Sequence, residues 1–302
     1  MRCYILCLLL FCSFIANGQS LAELERQLDS LLAKQQKSEV VLGLGYGNNP
    51  AYGGKVTDVN RPIVLKPFLS PSLYWYHKSG FYIGGSGYYL FNAEKKPWFE
   101  LDLTTGYDYT KNDNILTGVS YTRYFFADST DIPVTPIKNE LYAYFYYRKW
   151  WLQPGISVDF GWGRQRIDRI RGYATISGSD FNVIAAVRHP FIFPGVISAK
   201  DAILFTPSVA LTMGTANYFS QLRSFQYAAR SPKLKKERKG QAKDLSFEDH
   251  SDFEPRIIDV TLNVSYLLGK FTISPLFTVF KPFTGYDQNV MCYFTGRVTY
   301  SF

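Results

Sequence analysis

From Ser38 to the C-terminus, apolar and polar residues alternate with a period of two. Over Arg256 to Leu268, Ile258, Val260, Leu262, Val264, Tyr266 and Leu268 share one face, while Asp259, Thr261, Asn263 and Ser265 share the other. Successive side chains of a strand point to opposite faces, so this split predicts a strand with one apolar face. Phe99, Leu101, Leu103 and Tyr107 alternate in the same way with Glu100, Asp102, Thr104 and Asp108. So do Pro154, Ile156, Val158 and Phe160 with Gln153, Ser157 and Asp159, and Cys292, Phe294, Val298 and Tyr300 with Thr295, Arg297 and Thr299. Such runs predict twelve strands, at 39–46, 62–77, 80–91, 97–109, 113–126, 139–148, 150–161, 180–189, 201–213, 256–268, 271–281 and 290–302. Several exceed the roughly 5–6 residues usual in soluble sheets and approach the roughly 9–11 that cross a bilayer at a tilt.

Period two leaves open whether the apolar face points inward or outward, and the links between strands decide it. Even-to-odd links are mostly short, as in His77-Lys78-Ser79-Gly80 and Gly269-Lys270. Odd-to-even links are mostly long: Gly47 to Arg61, Ala127 to Lys138, Trp162 to Ser179 and Gly214 to Pro255. That alternation fits an outer-membrane barrel with short periplasmic turns and long external loops. Two links depart from it, a long one from Pro190 to Lys200 and a short one from Asn92 to Lys96. Prolines 67, 71, 154, 207 and 275 fall within the strands, where each removes a ladder hydrogen bond and predicts a bulge or break.

Ahead of the strands the pattern is different. Met1-Arg2, the apolar run Cys3 to Ile15, and small residues Ala16 and Gly18 predict a signal peptide over 1–18, cut before Gln19. Phe11 before Cys12 argues against a lipoprotein site. Ser20 and Glu23 then make a capping box, and Leu21, Leu24, Leu28 and Leu31 form an apolar stripe at helical spacing. A short amphipathic helix is predicted over 19–37, too short to stand alone, so it packs on its own barrel or associates with another chain. Once the leader is removed Cys292 is the single cysteine, which excludes an intrachain disulfide framework.

Composition sharpens this. Aromatic residues make up 17% of the chain against 19% charged, far from the balance of a soluble domain. Pairs such as Trp150-Trp151 and Phe125-Phe126 near strand ends suit the girdles that flank a membrane band. The net charge of +8 would suggest nucleic acid, but much of it lies in Arg230 to Lys243, followed by the acids Glu248, Asp249, Asp252 and Glu254. That composition predicts a solvated external loop over 214–255, and nucleic acid drops out as a partner.

Taken together, the strand pattern, link lengths and terminal run Val298-Thr299-Tyr300-Ser301-Phe302 resemble the bacterial outer-membrane β-barrel superfamily, in particular exported barrels of the Bacteroidota. The resemblance covers 38–302 and implies an all-β, 12-stranded antiparallel transmembrane barrel preceded by the short helix. It implies outer-membrane lipid and the barrel-assembly machinery as partners, with Tyr300 and Phe302 read as the assembly signal. It also implies that the helix and C-terminus are periplasmic. Asn49-Pro50-Ala51-Tyr52-Gly53-Gly54 is similar to a motif of type IX secretion membrane proteins, which implies a non-transporting role in a surface or secretion assembly. Twelve-stranded outer-membrane phospholipases carry a histidine and a serine two apart on a strand. Here the only such pair is His77 and Ser79, placed in a short turn, and neither His189 nor His250 has a serine at that spacing.

With the apolar phase outward, the interior is lined by Lys66, Glu100, Asp102, Asp108, Glu140, Arg148, Asp159, Arg188, Asp259 and Arg297. Salt-bridged networks are expected among them, because unpaired charges in a confined space are costly. Two functional readings stay open. The lumen is a narrow channel for small polar solutes, or it is held shut by such networks and by Tyr142, Tyr144 and Tyr146. No catalytic set, cofactor site or metal site stands out.

Overall fold

The computed structural model describes residues 37–52, 63–109, 111–127, 135–169, 172–198, 201–215, 253–283 and 289–302. The signal peptide at 1–18, the helix predicted over 19–37 save for Lys37, and residues 216–252, with the basic stretch 230–243, lie outside them.

Thirteen strand segments follow in order: β1 (Glu39–Tyr52), β2 (Ile63–Tyr76), β3 (Phe81–Leu90), β4 (Trp98–Tyr109), β5 (Ile115–Phe126), β6 (Asn139–Tyr147) and β7 (Gln153–Arg169). They continue with β8 (Gly172–Arg188), β9 (Phe191–Pro194), β10 (Asp201–Gly214), β11 (Glu254–Leu268), β12 (Phe271–Pro282) and β13 (Met291–Ser301). Each is antiparallel to its neighbours. The pairings of β13 with β1 and of β10 with β11 close the sheet. Segments β8 and β9 both pair with β10, so they form one strand interrupted at His189-Pro190, and the barrel has twelve strands.

That interruption corrects the long link expected from Pro190 to Lys200. Proline has no N–H to donate, so the ladder lapses at Pro190 and resumes in β9. The remaining turn is short. Asp201 organises it, accepting hydrogen bonds from the N–H groups of Val196 (2.8 Å), Ile197 (3.0 Å) and Ser198 (2.9 Å) and from the Tyr266 hydroxyl (2.8 Å).

The expected loop from Trp162 to Ser179 is also corrected. Strands β7 and β8 pair continuously to Arg169 and Gly172, while β6 leaves β7 at Trp162. Seven residues of hairpin therefore run past the barrel, about 23 Å at strand rise. Gly163 to Arg169 carry no apolar alternation, which is why the stretch reads as a loop.

The prolines break ladders on one side only, because a strand residue directs its N–H to a single neighbour. The β2–β3 ladder skips Ser70 and Pro71, and the β11–β12 ladder skips Ser274 and Pro275, while Pro71 and Pro275 keep their places opposite Leu44 and Gly296. Pro154 falls just where the β6–β7 ladder ends.

The outward phase is apolar and exposed. Leu44, Leu73, Ile83, Leu103, Ile156 and Val298 are each close to half exposed. Trp150 and Trp151 are more exposed still, in the turn between β6 and β7. Among the described residues, small clusters of buried apolar side chains form, Ile257 with Phe280 and Tyr293, and Tyr124 with Ile137.

Candidate functional site in the barrel interior

The inward phase is polar, and its tyrosines are arranged by glycines on the next strand. Tyr74 lies opposite Gly84, Tyr82 opposite Gly106, Tyr144 opposite Gly118 and Tyr146 opposite Gly155. A Cβ at Gly155 would sit 2.1 Å from the Tyr146 ring, one at Gly84 2.4 Å from the Tyr74 ring, and one at Gly106 2.5 Å from the Tyr82 ring. The missing side chains let these rings lie against the wall instead of across the lumen. Sequence reasoning missed this because a glycine shows its purpose only when register sets a tyrosine beside it.

The predicted interior residues divide into two groups. Glu100, Asp102, Glu140 and Asp159 are buried on the wall formed by β4 to β7. Tyr124 donates a short hydrogen bond to Glu140, and Asn182 Nδ2 donates to Asp159 Oδ1 at 2.8 Å. Thr104 and Thr122 join hydroxyls at 3.0 Å beside them. Asp108, nearer the short-turn end, accepts from the Tyr144 hydroxyl at 2.7 Å. Glu140, Asp159 and Asp108 thus each accept from a neutral donor, Glu100 stands beside the carboxyl of Asp102, and the ion pair of Arg256 with Glu254 (2.7 Å) lies at the start of β11.

The remaining charges lie outside that buried network. Lys66 is half-buried on β2 opposite Asn49, and Arg148 stands just beyond the end of β6, at the rim. Arg297 pairs with Gly45 in the inward phase and is exposed. Arg188 and Asp259 line one cavity of about 320 Å³ with Tyr142, Tyr146, Ser208, Thr261 and Thr278. Cavity residues come from β6, β7, β8 and β10 to β13.

Tyr300 and Phe302 lie on the outward phase. Their rings are 4.8 Å apart, Phe271 packs 4.7 Å from Tyr300, and Phe302 N–H donates to Val40 O at 2.9 Å, tying the end of the chain to β1. In the turn at His77 to Gly80, His77 Nδ1 is 2.8 Å from Ser79 Oγ. His77 is half-buried and Ser79 exposed, and Ser79 N–H also points at the same ring nitrogen at 3.3 Å. Gly80 closes this turn with a left-handed φ of 97°. His189 packs between Trp151 and Phe191, with ring centroids 4.5 and 4.3 Å away. No cluster of three His, Cys, Asp or Glu suited to a metal occurs among the described residues.

Solved structures similar to this chain are bacterial outer-membrane barrels. The NanC porin is 9% identical over 87% of this chain and 98% of its own, with a TM-score of 0.42. The translocator domain of the autotransporter NalP from Neisseria meningitidis is 11% identical over 93% and 95%, with a TM-score of 0.47. LpxR from Salmonella typhimurium is 9% identical over 86% and 99%, with a TM-score of 0.36. No protein-family model matches the chain, and no curated protein matches it. The barrel assignment therefore rests on the strand pairing of the chain itself.

Proposed function

We propose that the protein is an outer-membrane barrel, of the kind exported in the Bacteroidota, that passes small polar solutes passively through its lumen. The exposed apolar outer phase supports burial in lipid, since an apolar surface of this extent is costly in water. One observation carries the channel reading: Arg297 faces inward yet is exposed, so the interior beside β13 and β1 has room for water. Gly43, Gly45 and Gly47 of β1 add no side chain beside it, and Ser72, Ser70 and Phe68 of β2 lie over their places. In this reading the short-turn end, with the C-terminus, faces the periplasm, and Tyr300 and Phe302 serve assembly.

Planar-bilayer recording tests it. Purified protein is expected to give discrete conductance steps, and R297E is expected to shift the reversal potential in a KCl gradient toward cation selectivity. Absence of steps from folded protein would overturn the reading. The hairpin that projects past Trp162 favours a second role, contact with another protein at the surface, as in a secretion or anchoring assembly.

A further inference from the structure

We infer that the cavity between the β6–β8 and β10–β13 walls is a binding site for a small zwitterionic solute, its carboxylate held by Arg188 and its amine by Asp259. The inference rests on the interior being open to solutes, as proposed above.

Arg188 is oriented from two sides. Its guanidinium carbon lies 4.2 Å from the Tyr146 ring centroid, and Nε donates to Gln153 Oε1 at 3.3 Å. The ring in turn lies flat over Gly155. This leaves the terminal nitrogens of Arg188 for a carboxylate, which a guanidinium can hold through two parallel hydrogen bonds. Arg148, at the rim, adds positive charge at this end.

Asp259 lies elsewhere on the same cavity. Arg188 is in register with Ser208, and Ser208 with Thr261, so Asp259 stands two strands across and two residues along. Strand spacing and rise put the two Cα atoms about 12 Å apart. The reach of both side chains reduces this to the length of a chain of a few carbon atoms. Thr261 Oγ1 donates to Asp259 Oδ1 at 3.3 Å. Neither Asp259 nor Arg188 forms an ion pair with another described residue. Two opposite charges, neither paired among the described residues and separated by a wall of hydroxyls, match a solute that carries both signs.

A matched set of probes tests this on folded protein in detergent at low salt: 5-aminopentanoate, pentanoate and pentylamine, followed by isothermal titration. The zwitterion is expected to bind about tenfold more tightly than either singly charged analogue, the effect of one charge-assisted hydrogen-bonded contact. D259N is expected to remove its advantage over pentanoate, and R188Q its advantage over pentylamine. Equal binding of all three, binding of one singly charged analogue as tight as the zwitterion, or no binding would overturn the inference. The wild-type ranking decides it even where a variant fails to assemble. Titration does not depend on conductance: zwitterion binding without current steps sinks the channel and keeps the site, and steps without the ranking do the reverse.

Discussion

The wall formed by β4 to β8 and the wall formed by β10 to β13 solve the same problem differently. In the first, every neighbouring pair from β4–β5 to β7–β8 runs without a register shift, and the inner face buries Glu100, Asp102, Glu140, Asp159 and Asn182. Around the second, ladders are interrupted at His189-Pro190 and Pro275 and shifted between Thr212 and Met213, and most of its inner face borders the cavity, which the first wall reaches only through β6 to β8. A buried polar network demands fixed geometry, because each member left without a partner is costly. A hydrated face makes no such demand, so irregular pairing is tolerated where water or solute supplies the missing partners.

The largest effect should come from cutting the network. E140A removes the acceptor of the Tyr124 hydroxyl in a place no solvent reaches, and is expected to lower unfolding stability by about 3 kcal/mol. Urea unfolding in lipid vesicles measures it. A loss no larger than that of a surface substitution would mean that the wall does not depend on its polar interior.

Next comes the contact that keeps a ring out of the lumen. G155A brings a Cβ to 2.1 Å from Tyr146, so the ring must leave the wall. Overpacking of this kind costs about 1–3 kcal/mol. Conductance should fall, since the displaced ring enters the cavity beside Arg188. Unchanged conductance would show that the cavity is not on the path.

On the second wall, T278V deletes a buried hydroxyl that pairs at 2.9 Å with Thr261. Valine keeps the shape, and Thr261 faces the cavity, where water can replace the lost partner. The expected cost is under about 1 kcal/mol, read by the same urea unfolding. A cost equal to that of E140A would erase the distinction between the walls.

Much of this barrel is legible in the sequence because one face meets an apolar surrounding along its whole height. That constraint writes the alternation of Ile258 to Leu268 and places Glu100, Asp102, Asp159 and Asp259 on the inward phase. Where the constraint lapses, so does legibility. The hairpin beyond Trp162 has lost β6 as a neighbour and reads as a loop, and β9 is hidden by the His189-Pro190 break. The division into two walls is not legible at all. It depends on which strands stand opposite one another, as when Tyr146 meets Gly155 or Arg188 shares a cavity with Asp259, and periodicity within one strand carries no register.

The smallest expected effect asks why the second wall is irregular. At Pro275 the β12–β13 ladder continues through its pairing with Gly296, while the β11–β12 ladder skips from Asn263–Leu276 to Tyr266–Ile273. The missing N–H therefore faces β11. P275V restores a donor on that side and places an apolar side chain on the outward phase, so it is expected to stabilise the barrel by about 0.5–1 kcal/mol. Amide exchange at Val264 and Ser265 should slow at the same time, as expected of residues regaining ladder protection. No gain, with exchange as fast as before, would place the cause in the curvature of the sheet around the cavity. The proline would then be a residue that fits a gap the fold already requires.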